Sequence, residues 1–268
     1  MSGSDPDVES VESVESVDAA DAADSAGTLW RGRVLESTGF DGDTGAADPL
    51  LLQAIRVRVA TPSAEADARF VELVASARWL VPVVALIGEA GASDDGLVVE
   101  KSTDMAVVTL TAPDGRRALP VFTSTAALGA WDPSARPVPV DGVRAAQAAI
   151  AEGCQVLVVD LGSEAPSEVR PSMVWALVQG VSWTAAHTDP FVSRSVERAV
   201  AEEGEVAVYR LEEGEPAGSG VLRVVLGLRP GLDADAVQAL ATRVAEQLAT
   251  DGEFRARVDE LTFALEPA

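Results

Sequence analysis

Two short apolar runs constrain the fold of this chain more than any other feature. Trp79–Ile87 holds only apolar residues and Pro82, and Gln155–Leu161 is apolar apart from Gln155 and Asp160. Runs of this length that are rich in valine are typical of strands buried on both faces. The longer run is about half of the ~18–20 residues that a membrane helix needs. The sequence therefore predicts buried strands rather than a membrane span.

Helix signals lie before, between and after these two runs. Asp48-Pro49 predicts a helix start, with Asp as the cap and Pro in the first turn. Pro113-Asp114-Gly115 between two apolar segments indicates a hairpin. Further helices are predicted at 65–77, 125–130, 143–152 and 171–179, with Ser124 and Asp141 as two of the caps. Strands that alternate with helices predict an α/β (mixed α+β) class.

The rest of the chain has its own pattern. Trp183–Pro190 reads as a linker, after which helix and strand signals predict an αββαβ unit over residues 190–268, with Asp233 capping its long helix. We therefore expect a domain at 29–187 and a smaller one at 190–268.

Charge is concentrated at the N-terminus. Residues 1–28 hold eight acids and no base, and Val8 to Val17 repeat every three residues, which fits neither the helical nor the strand period. We expect a disordered acidic tail. The whole chain has 43 acids against 20 bases, a net charge of −23. Such a balance argues against nucleic acid and anionic membrane partners. With no secretory signal in the first residues, a cytoplasmic protein is expected.

Candidates for chemistry are few. Cys154 follows a predicted helix C-terminus, where the helix dipole disfavours a thiolate, so a structural role is favoured over a nucleophilic one. His187 lies beside Asp189 in the linker, where a capping or exposed role is favoured over an oriented imidazole. Asp41–Asp48 resembles a calcium loop, but the required ligand positions are not filled. The sequence predicts no catalytic residue, no metal site and no cofactor.

One aromatic segment stands out in a chain that is poor in aromatics. Phe122, Trp131 and Pro137, with the prolines around them, form either a partly exposed apolar rim for a protein partner or, as the more ordinary reading, part of the core.

Several segments resemble the SseB family, known as the enhanced serine sensitivity family. They are RWLVPVVA at 78–85, TDMAVVTL at 103–110, DGRRALPVFTSTAALGAWDPSARPVPV at 114–140 and AAQAAIAEGCQVLVVDLG at 145–162. The resemblance extends over about residues 29–187 and is closest to members from high-GC bacteria. It implies an α/β fold and a soluble bacterial protein. It implies no reaction and no catalytic residues.

The expected function is a non-catalytic protein-interaction or regulatory module. The alternative is an enzyme or small-molecule binder with a site between the two domains, near His187 and the loop 88–101. A cation site at 41–48 is a third, weaker possibility. Neither the partner nor the oligomeric state is predicted.

Overall fold

The two apolar runs become core strands. The structure, a computed structural model, describes residues 40, 42–87, 103–113 and 115–268. The first run lies in β1 (Arg78–Ile87) and the second in β6 (Val156–Val159). Trp79, Leu80 and Val81 are 0%, 3% and 4% exposed. Because successive residues of a strand point to opposite faces, β1 is buried on both, as predicted.

Five further strands complete two sheets in the first part of the chain. One sheet has the antiparallel order β2, β1, β5, and the other has the order β3, β4, β6, β7, in which β4 and β6 are parallel. Leu80 and Phe122 join the sheets through two backbone hydrogen bonds of 2.9 Å. The remaining strands are β2 (Thr103–Val107), β3 (Leu110–Thr111), β4 (Arg117–Val121), β5 (Arg136–Asp141) and β7 (Ser167–Val169).

The hairpin predicted at Asp114-Gly115 is confirmed, because β3 pairs antiparallel with β4. The apolar segment before this hairpin, residues 105–111, is divided between two sheets, however. Its first part, β2, pairs with β1, and its last two residues form β3 beside β4. A strand that leaves one sheet for another must bend, and this bend falls at Val108, whose N–H still donates to the Pro82 carbonyl.

Five helices accompany these sheets, and most begin at the predicted caps. Asp48, Ser124 and Asp141 each accept a hydrogen bond from a backbone N–H of the first turn that follows. The helices are α1 (Pro49–Ala60), α2 (Ala64–Ser76), α3 (Thr125–Trp131), α4 (Gly142–Ala151) and α5 (Pro171–Gln179). Helices α2, α4 and α5 bury their apolar sides in one core with β1, β4 and β6.

The C-terminal part follows the predicted αββαβ order with one additional short helix before the last strand. Its elements are α6 (Pro190–Val200), β8 (Val206–Glu213), β9 (Val221–Leu228), α7 (Ala234–Thr250), α8 (Gly252–Arg257) and β10 (Glu260–Pro267). The strand order is β10, β9, β8, with β9 parallel to β10 and antiparallel to β8. The helices share a second core with one face of this sheet.

Residues 42–268 group by their contacts as one unit. The division into domains at 29–187 and 190–268 stays a prediction. The predicted acidic tail and the loop 88–101 lie outside the described residues. No helix in the described part of the chain has the length and apolarity to cross a bilayer.

Candidate functional site

A buried arginine connects the two parts of the chain. Arg170, just before α5, donates from Nε to Asp259 at 2.9 Å and from a terminal nitrogen to Asp67 at 2.8 Å. A third bond of 2.8 Å reaches the Gly218 carbonyl in the β8–β9 hairpin. The side chains of Arg170, Asp67 and Asp259 are 8%, 3% and 9% exposed. Buried charges of this kind persist only when they are paired and hydrogen-bonded.

Asp67 has a second cationic partner. Arg58, on α1, pairs with the other carboxylate oxygen of Asp67 and donates to the Ser167 hydroxyl and the Glu168 carbonyl on β7. Two arginines therefore face two aspartates. We call these four residues, Arg58, Asp67, Arg170 and Asp259, the arginine–aspartate joint.

Asp259 also caps a helix to which it is not adjacent in sequence. Helix α5 has no side-chain cap of its own, and the Ser172 N–H donates to Asp259 at 2.7 Å. The Ser172 hydroxyl donates to the same carboxylate at 2.9 Å and accepts from the indole N–H of Trp183 at 2.9 Å. Ser172 is 2% exposed, so its hydroxyl serves this buried cap and is poorly placed to attack a substrate.

The cavity beside the joint is small. It is lined by His187 and by three members of the joint, and its volume is about 20 Å³. A cavity of that volume holds about one water molecule. His187 thus lies where the alternative function placed a ligand, but in this conformation a metabolite has no room there.

Trp183 lines this cavity and also a larger apolar groove. It runs between α2 and α5 and has a volume of about 540 Å³. Val181, at its edge, is 45% exposed, and an exposed ion pair between Arg69 and Glu72 stands at its rim. We call it the α2–α5 groove; its apolar lining includes Ala68, Val71, Ala75, Ala176, Leu177 and Val181.

The aromatic rim predicted from the sequence is arranged differently. Phe122 is 0% exposed, because its backbone joins the two sheets and its ring packs with Leu80 and Leu128. A ring so placed has no surface to offer a partner. Trp131 is half-buried and lies over Phe122 with ring centres 5.2 Å apart. Pro137 is exposed on β5. A partner surface at Trp131 and Pro137 stays a prediction.

The prolines of β5 limit how a partner could bind there. The backbone N–H and C=O of Leu80 bond to Phe122 and not to β5. In an antiparallel pair the two opposite residues either both bond to each other or both point away, so the backbone groups of Pro139, opposite Leu80, point away from β1. Pro137 lies two residues earlier, opposite Pro82, so its backbone groups also point away from β1. Both nitrogens at this outer edge lack a hydrogen, which hinders the addition of another strand.

Cys154 is 5% exposed and follows the end of α4. Burial raises the pKa of its thiol, although the nearby Arg117 guanidinium opposes this. The structural role favoured from the sequence fits this position, and Cys154 is not among the residues that line the cavity with His187.

We expect Cys154 to react with iodoacetamide at pH 8 at least about tenfold more slowly in the native chain than in urea, since a buried thiol of raised pKa is poorly accessible and mostly protonated. Mass spectrometry of the alkylated chain over time measures this. Equal rates in the two conditions would contradict the burial of Cys154.

The carboxylates of the possible calcium loop are otherwise engaged. Asp43 pairs with the Arg78 guanidinium at 2.9 Å, and Asp48 caps α1; Asp41 lies outside the described residues. Within the described ranges, no three His, Cys, Asp or Glu side chains converge as metal ligands.

Comparison with known proteins gives one match. The family of the SseB protein N-terminal domain matches residues 51–176, from α1 to the middle of α5. No curated protein and no solved structure matches the chain.

Proposed function

This chain belongs to the SseB family through residues 51–176, and we propose that it is a non-catalytic protein-binding module. Its partner inserts the apolar face of a helix into the α2–α5 groove. The observation that carries this proposal is the groove itself, a volume of about 540 Å³ bounded by two helices.

The lining of the groove suits a helix. Ala68, Ala75 and Gly180 are small and at least partly exposed, so they allow the backbone of a partner to approach closely. Val181, which is 45% exposed, supplies larger apolar surface beside them. Recognition of an amphipathic helix in an apolar groove is a recurrent mode of protein binding.

The charge of the chain favours a basic partner. A net charge of −23 attracts cationic proteins over long distances and repels acidic ones. At the rim of the groove, Glu72 pairs with Arg69 but is 70% exposed, so its carboxylate can also accept from a basic residue next to the apolar stripe of the partner. We therefore expect an amphipathic helix with Lys or Arg beside its apolar face.

The polar groups near the cavity support a non-catalytic role. Ser172 and Asp259 are engaged in the cap of α5, and Cys154 does not line the cavity with His187. Covalent catalysis needs a nucleophile that a substrate can reach as well as a nearby base, and Ser172 is 2% exposed. A small-molecule site between the two parts of the chain is the weaker candidate, because the cavity holds about one water molecule.

We expect Val181→Glu to weaken partner binding at least about tenfold, because a carboxylate buried in an apolar interface without a counter-ion is costly. The full chain, immobilised, would capture proteins from an extract of the native cells, and quantitative mass spectrometry would compare the variants. The affinity of the captured protein would then be measured at low and high salt.

Val59→Glu is the matched control. Val59 is 52% exposed, on α1, and does not line the groove, so this variant should retain the partner. A partner that binds both variants equally would overturn the assignment of the groove. A partner whose binding is lost only when Trp131 is substituted would assign the binding to the aromatic segment instead.

A further inference from the structure

The outer edge of β8 carries unpaired backbone groups. The N–H of Gly214 donates to the Val221 carbonyl, which sets the phase of the β8–β9 ladder. Glu212 and Arg210 then direct their backbone groups to β9, and Leu211 and Tyr209 direct theirs outward. Among the described residues, none forms a hydrogen bond with these outward backbone groups. An edge of this kind is a template for another strand.

Two other edges of the fold are hindered. At β5, Pro137 and Pro139 remove the outward donors, and at β7 the Arg58 guanidinium occupies the Glu168 carbonyl. β8 has no proline, and the backbone groups of Tyr209, Leu211 and the exposed Glu213 all point away from β9. β8 is therefore open where β5 and β7 are not.

The side chains of β8 are complementary to themselves in one antiparallel register. Within one chain Arg210 contacts Glu212 and Glu266, and all three side chains are 40–49% exposed. If Leu211 lies opposite Leu211 of a second copy, Arg210 also lies opposite Glu212 of that copy, and the reverse pair forms by symmetry. Opposite charges on directly paired residues stabilise a sheet. A register centred on Arg210 would instead place two arginines opposite each other.

The other outer strand of the same sheet lacks this match. A copy of β10 paired at Phe263 would place Glu260 opposite Glu266, which is a repulsive pair. Self-pairing is thus favoured at β8 and disfavoured in the equivalent register of β10.

We propose that two copies of this chain associate through β8, antiparallel and centred on Leu211, to form a six-stranded sheet. The contact is isologous, as in most dimers of two-fold symmetry. Backbone hydrogen bonds at Leu211 and between Tyr209 and Glu213 hold the strands together, and the two Arg210–Glu212 pairs set the register.

The register predicts a specific cross-link. Opposite residues of a hydrogen-bonded antiparallel pair have Cα atoms about 5.5 Å apart, within the range of about 4.4–6.8 Å that a disulfide spans. Under mild oxidation by oxidised glutathione, Leu211→Cys should give a covalent dimer on a non-reducing gel. Tyr209→Cys should not, since its two copies would lie about 14 Å apart along the strands at ~3.4 Å per residue.

A charge exchange provides a second test that leaves Leu211 in place. By analytical ultracentrifugation, Arg210→Glu should weaken dimerisation at least tenfold, and the double variant R210E/E212R should restore it. Arg144→Glu carries the same charge change at an exposed site on α4 and should dimerise like the parent. Circular dichroism confirms that each variant is folded.

A dimer that cross-links through Leu211→Cys and recovers with the double variant supports the proposal. A parent chain that stays monomeric at millimolar concentration would overturn it. Equal cross-linking of Tyr209→Cys, or a double variant no better than R210E, would also overturn it.

Discussion

Replacing Asp67 with Asn should lower the free energy of unfolding by about 3–5 kcal/mol, the cost of removing one partner from a buried ion pair. Asp67 is 2% exposed and faces both Arg58 and Arg170. The amide cannot neutralise either guanidinium, so both cations lose a counter-charge while remaining buried. Urea denaturation followed by circular dichroism measures the loss.

Glu72→Gln is the control on the same helix. Glu72 pairs with Arg69, but both side chains are more than half exposed, and exposed pairs contribute at most about 1 kcal/mol. If the two variants lost equal stability, the arginine–aspartate joint would not have the energetic role that its burial indicates.

Gly142→Ala should destabilise the chain by about 1–3 kcal/mol or more, the usual cost of forcing extra volume into a packed interior. Gly142 is the first residue of α4, and a Cβ there would lie 1.9 Å from the backbone carbonyl oxygen of Val74 in α2. Backbone cannot rotate away as a side chain does, so the two helices must separate. The loss is measured as a shift of the urea midpoint.

Gly129→Ala provides the opposite expectation within a helix. A Cβ at Gly129 in α3 would meet nothing within 4 Å, and alanine is the better helix former by up to about 1 kcal/mol. This variant should be neutral or slightly stabilised. A loss for Gly129→Ala as large as that for Gly142→Ala would contradict the close approach of α2 and α4.

Short-range signals predicted most of the elements. Asp48, Ser124, Asp141 and Asp233 cap the helices expected of them, because a capping oxygen and the N–H group that donates to it lie within three residues of each other. The three-residue strand β7 had no such signal, and its edge is fixed by Arg58 from 110 residues away.

The joint was missed for a related reason. Charged residues are usually at the surface, and nothing local pairs Arg170 with residues 103 and 89 positions away. One signal was present. Asp67 lies three and seven residues before Phe70 and Val74, on the buried side of α2, and a lone acid on an apolar helix face indicates a buried partner.

Phe122 shows the limit of composition as a guide to exposure. Its place among Trp131 and prolines left an exposed rim open beside the more ordinary core position, and the backbone pairing with Leu80 decides between them. The position of Trp131 above Phe122 follows from the same contact.

The cap that Asp259 gives to α5 also bears on synthesis of the chain. A ribosome adds about 5–20 residues per second, so Asp259 follows Ser172 after roughly 4–17 s. Throughout that interval the start of α5 lacks its carboxylate, and Arg170 has Asp67 alone as an acidic partner from the joint. Translation that stops before residue 259 leaves α5 without this cap, so we expect interrupted chains to be cleaved by proteases near the start of α5 more readily than the finished chain.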